Sequence, residues 1–243
     1  MDQAINIKQL LEAGVHFGHR SRRWNPKMKP FIFGKRQGIY VIDLEKTLER
    51  LRLAYSLIRE TAESGKDVLF VGTKQQAKPI MKEEAERCGA HFITERWVGG
   101  LLTNFEQVSS RIARLAELER MKADGRITNF TKKEQSLLDK EHGKLFKVFG
   151  GVKDMDRLPG AMFVVDAVRE HTPIAEARRV KIPIVALIDT NGNPDPIDFP
   201  IPGNDDAMRS IKLVAGYMAN AVMEGKKGFE SEGKGRGGEG TGK

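Results

Sequence analysis

The sequence predicts an α/β fold, a parallel sheet covered by helices on both faces and interrupted by a helical hairpin. Three observations carry this. Short continuous apolar runs recur along the chain, helical patterns separate several of them, and this rhythm stops between Phe105 and Phe149, a charged stretch without a strand pattern. Continuous apolar runs are the mark of strands buried on both faces, and strand-helix-strand succession implies right-handed crossovers.

The strand-like runs are Ile39 to Ile42, Val68 to Val71, His91 to Thr94, Met162 to Val165 and Ile184 to Ile188. Leu44, Leu48, Leu51, Tyr55 and Ile58 fall on one helical face, with Asp43 as N-cap. The segment after Thr73 and that from Pro173 to Val180 read as crossover helices. Cys88 closes another amphipathic segment and reads as a helix residue half in the core. It is the only cysteine, so an internal disulfide is excluded.

Phe105, Val108, Ile112, Leu115, Leu118 and Met121 lie at helical spacing. Ala123-Asp124-Gly125-Arg126 breaks the pattern, and Thr131 to Val148 resumes it. The expectation is a projecting antiparallel α-helical, coiled-coil hairpin over residues 105–149, inserted into one α/β globular domain made of residues 1–104 and 150–224. The Gly/Lys-rich stretch 225–243, nearly devoid of apolar side chains, is expected to be a disordered tail.

The chain has 243 residues, 40% hydrophobic, enough for one substantial core. No run reaches the roughly 20 apolar residues of a membrane span, and the N-terminus lacks the pattern of a secretory signal, so a cytoplasmic location and no membrane partner are expected. The formal charge of +8 favours polyanionic partners. Its distribution says more: from Glu12 to Asp43 no acid intervenes, while Arg20, Arg22, Arg23, Lys27, Lys29, Lys35 and Arg36 fall in that window.

An α/β sheet invites an enzymatic reading, because ligands bind at the carboxyl ends of parallel strands. The motifs for it are missing. Gly72-Thr73-Lys74 lacks the upstream glycine of a phosphate-binding loop, so Lys74 is expected to face solvent or a backbone phosphate. No G-x-G-x-x-G, G-x-S-x-G, H-E-x-x-H or paired-cysteine motif occurs. Asp166 and Asp189 end two predicted strands. Asn204-Asp205-Asp206 precedes a helical pattern and reads as an N-cap with acids in the first turn, the rival use being a cation site joined by His16 and His19.

The basic window reads as a nucleic-acid-binding element. Its cations alternate with Trp24, Phe31 and Phe33, and Pro26 and Pro30 preclude a regular helix. Such a segment sets cations on phosphates, while its aromatics either stack on bases or, as favoured for the phenylalanines, anchor it to the protein. Arg96-Trp97 before Gly99-Gly100 is a second candidate patch.

Several blocks resemble a known family. They are Leu10-Leu-Glu-Ala-Gly-Val-His-Phe-Gly-His19, Trp24-Asn-Pro-Lys-Met-Lys-Pro-Phe-Ile-Phe-Gly34, Leu69-Phe-Val-Gly-Thr-Lys74, Arg96-Trp-Val-Gly-Gly-Leu-Leu-Thr-Asn104, Leu158-Pro159, Ile188-Asp-Thr-Asn191 and Ile201-Pro-Gly-Asn-Asp-Asp206. In this order, over residues 5 to 224, the chain is similar to the bacterial family of small-subunit ribosomal protein number two. The resemblance implies a flavodoxin-like sheet with an inserted helical hairpin, no catalytic residues and no required cofactor. It implies a place on the solvent side of the small subunit between head and body, contact with small-subunit rRNA and other ribosomal proteins, and support for docking of the large mRNA-binding ribosomal protein numbered one. It also implies a zinc site at His19, Asp189 and Asp205. An enzyme acting on nucleotides and a free RNA-binding regulator are the rival classes. The expected RNA-binding residues are Arg20, Arg22, Arg23, Trp24, Lys27, Lys29, Lys35, Arg36, Lys74 and Arg96.

Overall fold

The computed structural model describes residues 5–236, with side chains through Ser231. Its centre is a five-stranded parallel sheet formed by β4 (Val68–Val71), β5 (His91–Ile93), β6 (Ala161–Val165), β7 (Ile184–Ile188) and β8 (Phe199–Pro202), in the order β5-β4-β6-β7-β8. Counting only these strands, the order is second-first-third-fourth-fifth, the doubly wound arrangement of flavodoxin-like folds. Strand alternation splits the core in two. Val68, Phe70, Phe163, Val165, Val185 and Leu187 face one side, where α2 (Leu44–Glu63), α3 (Lys78–Cys88) and α7 (Met208–Arg236) cover them. Leu69, Val71, Met162, Val164, Ala186 and Ile188 face the other, under α4 (Phe105–Ala123), α6 (His171–Arg179) and the 97–102 loop.

β8 escapes a sequence reading because it is Phe-Pro-Ile-Pro. Proline donates no ladder hydrogen bond, so such a strand is tolerated at a sheet edge, where β8 lies. The run Ile39–Ile42 forms a strand, but not of the parallel sheet. As β3 it sits between β1 (Phe17–Arg20) and β2 (Ile32–Arg36) in a small antiparallel sheet. The apolar pattern of four residues could not distinguish the two sheets.

Asp43 caps α2, accepting from the amides of Glu45 and Lys46. Cys88 ends α3 and is buried, which pushes its thiol pKa up. Helices α4 and α5 (Lys132–Phe149) lie between β5 and β6 and are tied together by Arg114 to Glu141 (3.0 Å) and Lys122 to Asp139 (2.8 Å). The apolar side of α4 is not left to solvent, because Val108, Ile112 and Leu115 join the core.

Residues 225–236, expected to be disordered, continue α7; positions 237–243 of that expected tail lie outside the described residues. Two of the glycines that suggested disorder, Gly225 and Gly228, pack closely against α2 instead. A Cβ on Gly225 would overlap the Arg59 carbonyl oxygen on α2, and Lys226 Nζ donates to the carbonyls of Cys88 (3.0 Å) and Gly89 (2.6 Å).

Candidate nucleic-acid interface and carboxylate cluster

The basic segment is an ordered platform. Its backbone is pinned by Met28, fully buried in the core, and by the Asn25 amide, which donates to the Thr190 carbonyl at 2.7 Å. Two short 3-10 turns, Ser21–Arg23 and Pro26–Phe31, then lead into β2. This anchoring leaves Arg20, Arg22, Arg23, Lys29, Lys35 and Arg36 exposed, and none of them makes an ion pair or side-chain hydrogen bond among the described residues. Lys27 differs, since its Nζ pairs with Asp195. Trp24 is half-buried and packs on Tyr40 with ring centroids 4.9 Å apart. Phe31 is anchored beneath the Arg50 guanidinium, whereas Phe33, favoured as an anchor, is 79% exposed. It lies on an edge strand of the small sheet, turned away from the core.

Arg96 is exposed, beside a loop held by Glu176. That carboxylate accepts from Trp97 Nε1 (2.9 Å) and from the amides of Gly100 (2.8 Å), Leu102 (3.1 Å) and Thr103 (3.3 Å). Burial alone would raise the Glu176 pKa, but these bonds outweigh it and hold the group below the usual carboxylate range.

Lys74 does not face open solvent. Its side chain, 11% exposed, lies at the carboxyl ends of the sheet strands, with Nζ 2.6 Å from Asp205, 2.6 Å from Asp206 and 3.2 Å from Asp166. Burial would lower its pKa, but these carboxylates raise it, so the ammonium stays charged and committed to them. Asp166 adopts φ 71, turning the chain at the end of β6. Asp205 is pushed up by burial and by Asp166 and Asp189, against the pull of Lys74. Asn204, not the acids, supplies the capping turn before α7, accepting from the amides of Asp206 (2.8 Å) and Ala207 (3.0 Å).

The convergent donor set differs from the expected one at one position. The donor atoms that converge belong to His19, Asp189 and Asp206, all within 4.8 Å of one another; Asp206 presents its other carboxylate oxygen to Lys74, which also holds Asp205. His19 Nδ1 lies 3.0 Å from Asp189 and Nε2 lies 3.4 Å from Asp206. The bond to Asp189 raises the His19 pKa. One imidazole and two carboxylates are a donor set that zinc accepts, with room for a further ligand. His16 takes no part in this set, and its buried Nδ1 has no hydrogen-bond partner. Sequence reasoning could not choose between Asp205 and Asp206, because adjacent residues leave a turn in directions set only by its dihedrals.

At the switch between β4 and β6, where a flavodoxin-like fold would take a phosphate, the Thr73 amide (2.8 Å) and hydroxyl (2.6 Å) are occupied by the chain's own Glu170. The family model for Ribosomal protein S2 matches residues 10–225.

The chain belongs to the Ribosomal protein S2 family. It is therefore a structural protein of the small ribosomal subunit, from a family that is not one of enzymes. Among the described residues, no helix is long and apolar enough to cross a membrane.

Proposed function

We propose that this S2-family chain grips small-subunit rRNA through its N-terminal platform, as a cytoplasmic component of the subunit. The observation that carries the reading is the set of exposed, unpaired cations on a rigid scaffold, Arg20, Arg22, Arg23, Lys29, Lys35 and Arg36. Unpaired cations at fixed positions release counterions from RNA phosphates without first breaking an internal salt bridge. Trp24 and Arg96 extend the surface, whereas Lys27 and Lys74 are engaged within the protein and are left out of it. A zinc ion, where bound, would be held by His19, Asp189 and Asp206 and would supply a structural cross-link between β1 and the ends of the parallel strands.

Docking of the large mRNA-binding ribosomal protein numbered one belongs to the same reading. Its support is an exposed apolar groove between α1 (Ile7–Glu12), α2 and the small sheet, lined by Ile7, Leu11, Phe33 and Leu44. Phe33→Asp should leave this chain on small subunits and deplete the neighbour from them; undiminished neighbour would remove the groove from the reading.

The deciding experiment is sedimentation of tagged protein on sucrose gradients over a range of salt, with Arg22→Ala/Arg23→Ala/Lys29→Ala/Lys35→Ala alongside the natural chain. Every phosphate that the variant no longer neutralises should flatten the log-log salt dependence by about 0.7 to 0.9. An unaltered slope in the quadruple variant rejects the platform as the rRNA-binding surface.

A further inference from the structure

Thr190, fully buried just beyond β7, joins the convergent donor set to the root of the basic platform. Its hydroxyl donates to Asp189 Oδ1 at 3.0 Å and accepts from the His19 amide at 2.9 Å, while its carbonyl accepts from the Asn25 amide at 2.7 Å. The other oxygen of Asp189 lies 3.0 Å from His19 Nδ1. One threonine therefore holds a carboxylate of the donor set, the backbone of β1 and the turn that leads into the second 3-10 segment.

Close packing reinforces the link. A Cβ on Gly18 would lie 2.6 Å from Thr190 Cγ2, 2.9 Å from its Oγ1 and 3.0 Å from the Tyr40 carbonyl oxygen, so β1 runs this near the turn only with glycine there. Tyr40 in turn packs its ring on Trp24. Arg20, Arg22 and Arg23 lie between the His19 and Asn25 anchors, so both ends of the segment that carries them are fixed on Thr190.

We propose that Thr190 is a positioning residue of the platform and relays occupancy of the His19-Asp189-Asp206 set to it, so that a zinc ion there tightens the hold of Arg20, Arg22 and Arg23 on rRNA. This rests on the rRNA-binding reading above and adds its regulation. An ion that fixes His19 and Asp189 to each other removes freedom from β1 and the 189–190 turn in advance, and binding then orders less chain. Such coupling is reciprocal, so the subunit tightens zinc by the factor by which zinc tightens the subunit.

The test titrates full-length protein, with equimolar zinc or with none, onto small subunits freed of it, comparing the natural chain with Thr190→Val, Thr190→Ser and the N-terminal quadruple variant. Zinc should tighten association of the natural chain and of Thr190→Ser about fivefold or more, and slow amide exchange from Arg20 to Trp24. Thr190→Val keeps all three donor side chains, so zinc should still raise its melting temperature yet leave its association unchanged. Its log-log salt slope should stay natural, because no cation is lost. A Thr190→Val chain whose association responds to zinc like the natural one overturns the relay. Loss of its melting response would make Thr190 a support of the ion alone and overturn the relay as well. If Thr190→Val does not fold, Gly18→Ala, which drives β1 off Thr190, is read in the same way. A flattened slope in the quadruple variant without a zinc response in the natural chain overturns the relay and spares the platform; an unaltered slope in that variant overturns the platform and the relay with it.

Discussion

The indole nitrogen of Trp97 donates to the carboxylate of Glu176 at 2.9 Å, across 79 residues of sequence, and the same carboxylate gathers the amides of Gly100, Leu102 and Thr103. One helix side chain therefore replaces the hydrogen-bond partners that a loop without a ladder would otherwise lack. Removing it leaves several buried donors unpaired. Glu176→Gln, which also turns an amide donor toward other donors, should destabilise the fold by about 3 kcal/mol in urea denaturation. A cost below about 1 kcal/mol would show that water replaces the carboxylate.

The same group sets a pH dependence of known sign. Its native pKa lies below the ordinary value, so its stabilising contribution is complete above the ordinary carboxylate pKa of about 4.3 and is lost as pH falls through the depressed native value. The stability gap between natural protein and Glu176→Gln should therefore be constant at neutral pH and shrink on acidification below about pH 4. Glu170 runs the other way. Burial raises its pKa, so its charged form weakens the fold and protonation relieves that as pH falls through the raised value.

Lys74 compensates Asp166, Asp205 and Asp206 in a mostly buried setting. Lys74→Met should cost about 3–5 kcal/mol, because it strands buried carboxylates, and should leave the salt slope of subunit association unchanged. A stable Lys74→Met chain with a flattened slope would return Lys74 to the phosphate contacts.

The packing of α7 on α2 is tested by one substitution at Gly225. At Gly225 a Cβ would overlap the Arg59 carbonyl oxygen and lie 2.7 Å from the Ala62 Cβ, so Gly225→Ala must push α7 off α2. Overpacking of this kind costs about 1–3 kcal/mol or more, read as a lowered melting temperature and faster amide exchange along α7. If residues 225–236 were unpacked, the substitution would be neutral or stabilising.

Zinc offers a check on the carboxylate exchange at the convergent set. Excess zinc should raise the melting temperature of the natural chain and of Asp205→Asn, measured against its own zinc-free value, but not that of His19→Ala or Asp206→Asn. A response abolished by Asp205→Asn and retained in Asp206→Asn would restore the set that the sequence suggested.

What the sequence determined by itself is whatever depends on local periodicity. The strands of the parallel sheet other than β8, the Asp43 cap of α2, the crossover helices and the two charged helices between β5 and β6 are legible because side-chain spacing reports which face is buried. The acid-free basic window is legible because composition needs no geometry. Tertiary structure alone decided the rest. Ile39–Ile42 and Val68–Val71 are both short apolar runs, and only long-range pairing sends one to an antiparallel sheet and the other to a parallel one. Lys27 and Lys29 are alike in sequence, yet one meets Asp195, 168 residues away, and the other meets none of the described carboxylates. Asp205 and Asp206 both reach Lys74, while Asp206 also turns an oxygen to the His19 cluster, and Gly225 is a packing surface instead of a flexible joint. In each case the deciding partner is distant along the chain, and the energy of a charge or a close contact depends on separation in space, which local patterns do not encode.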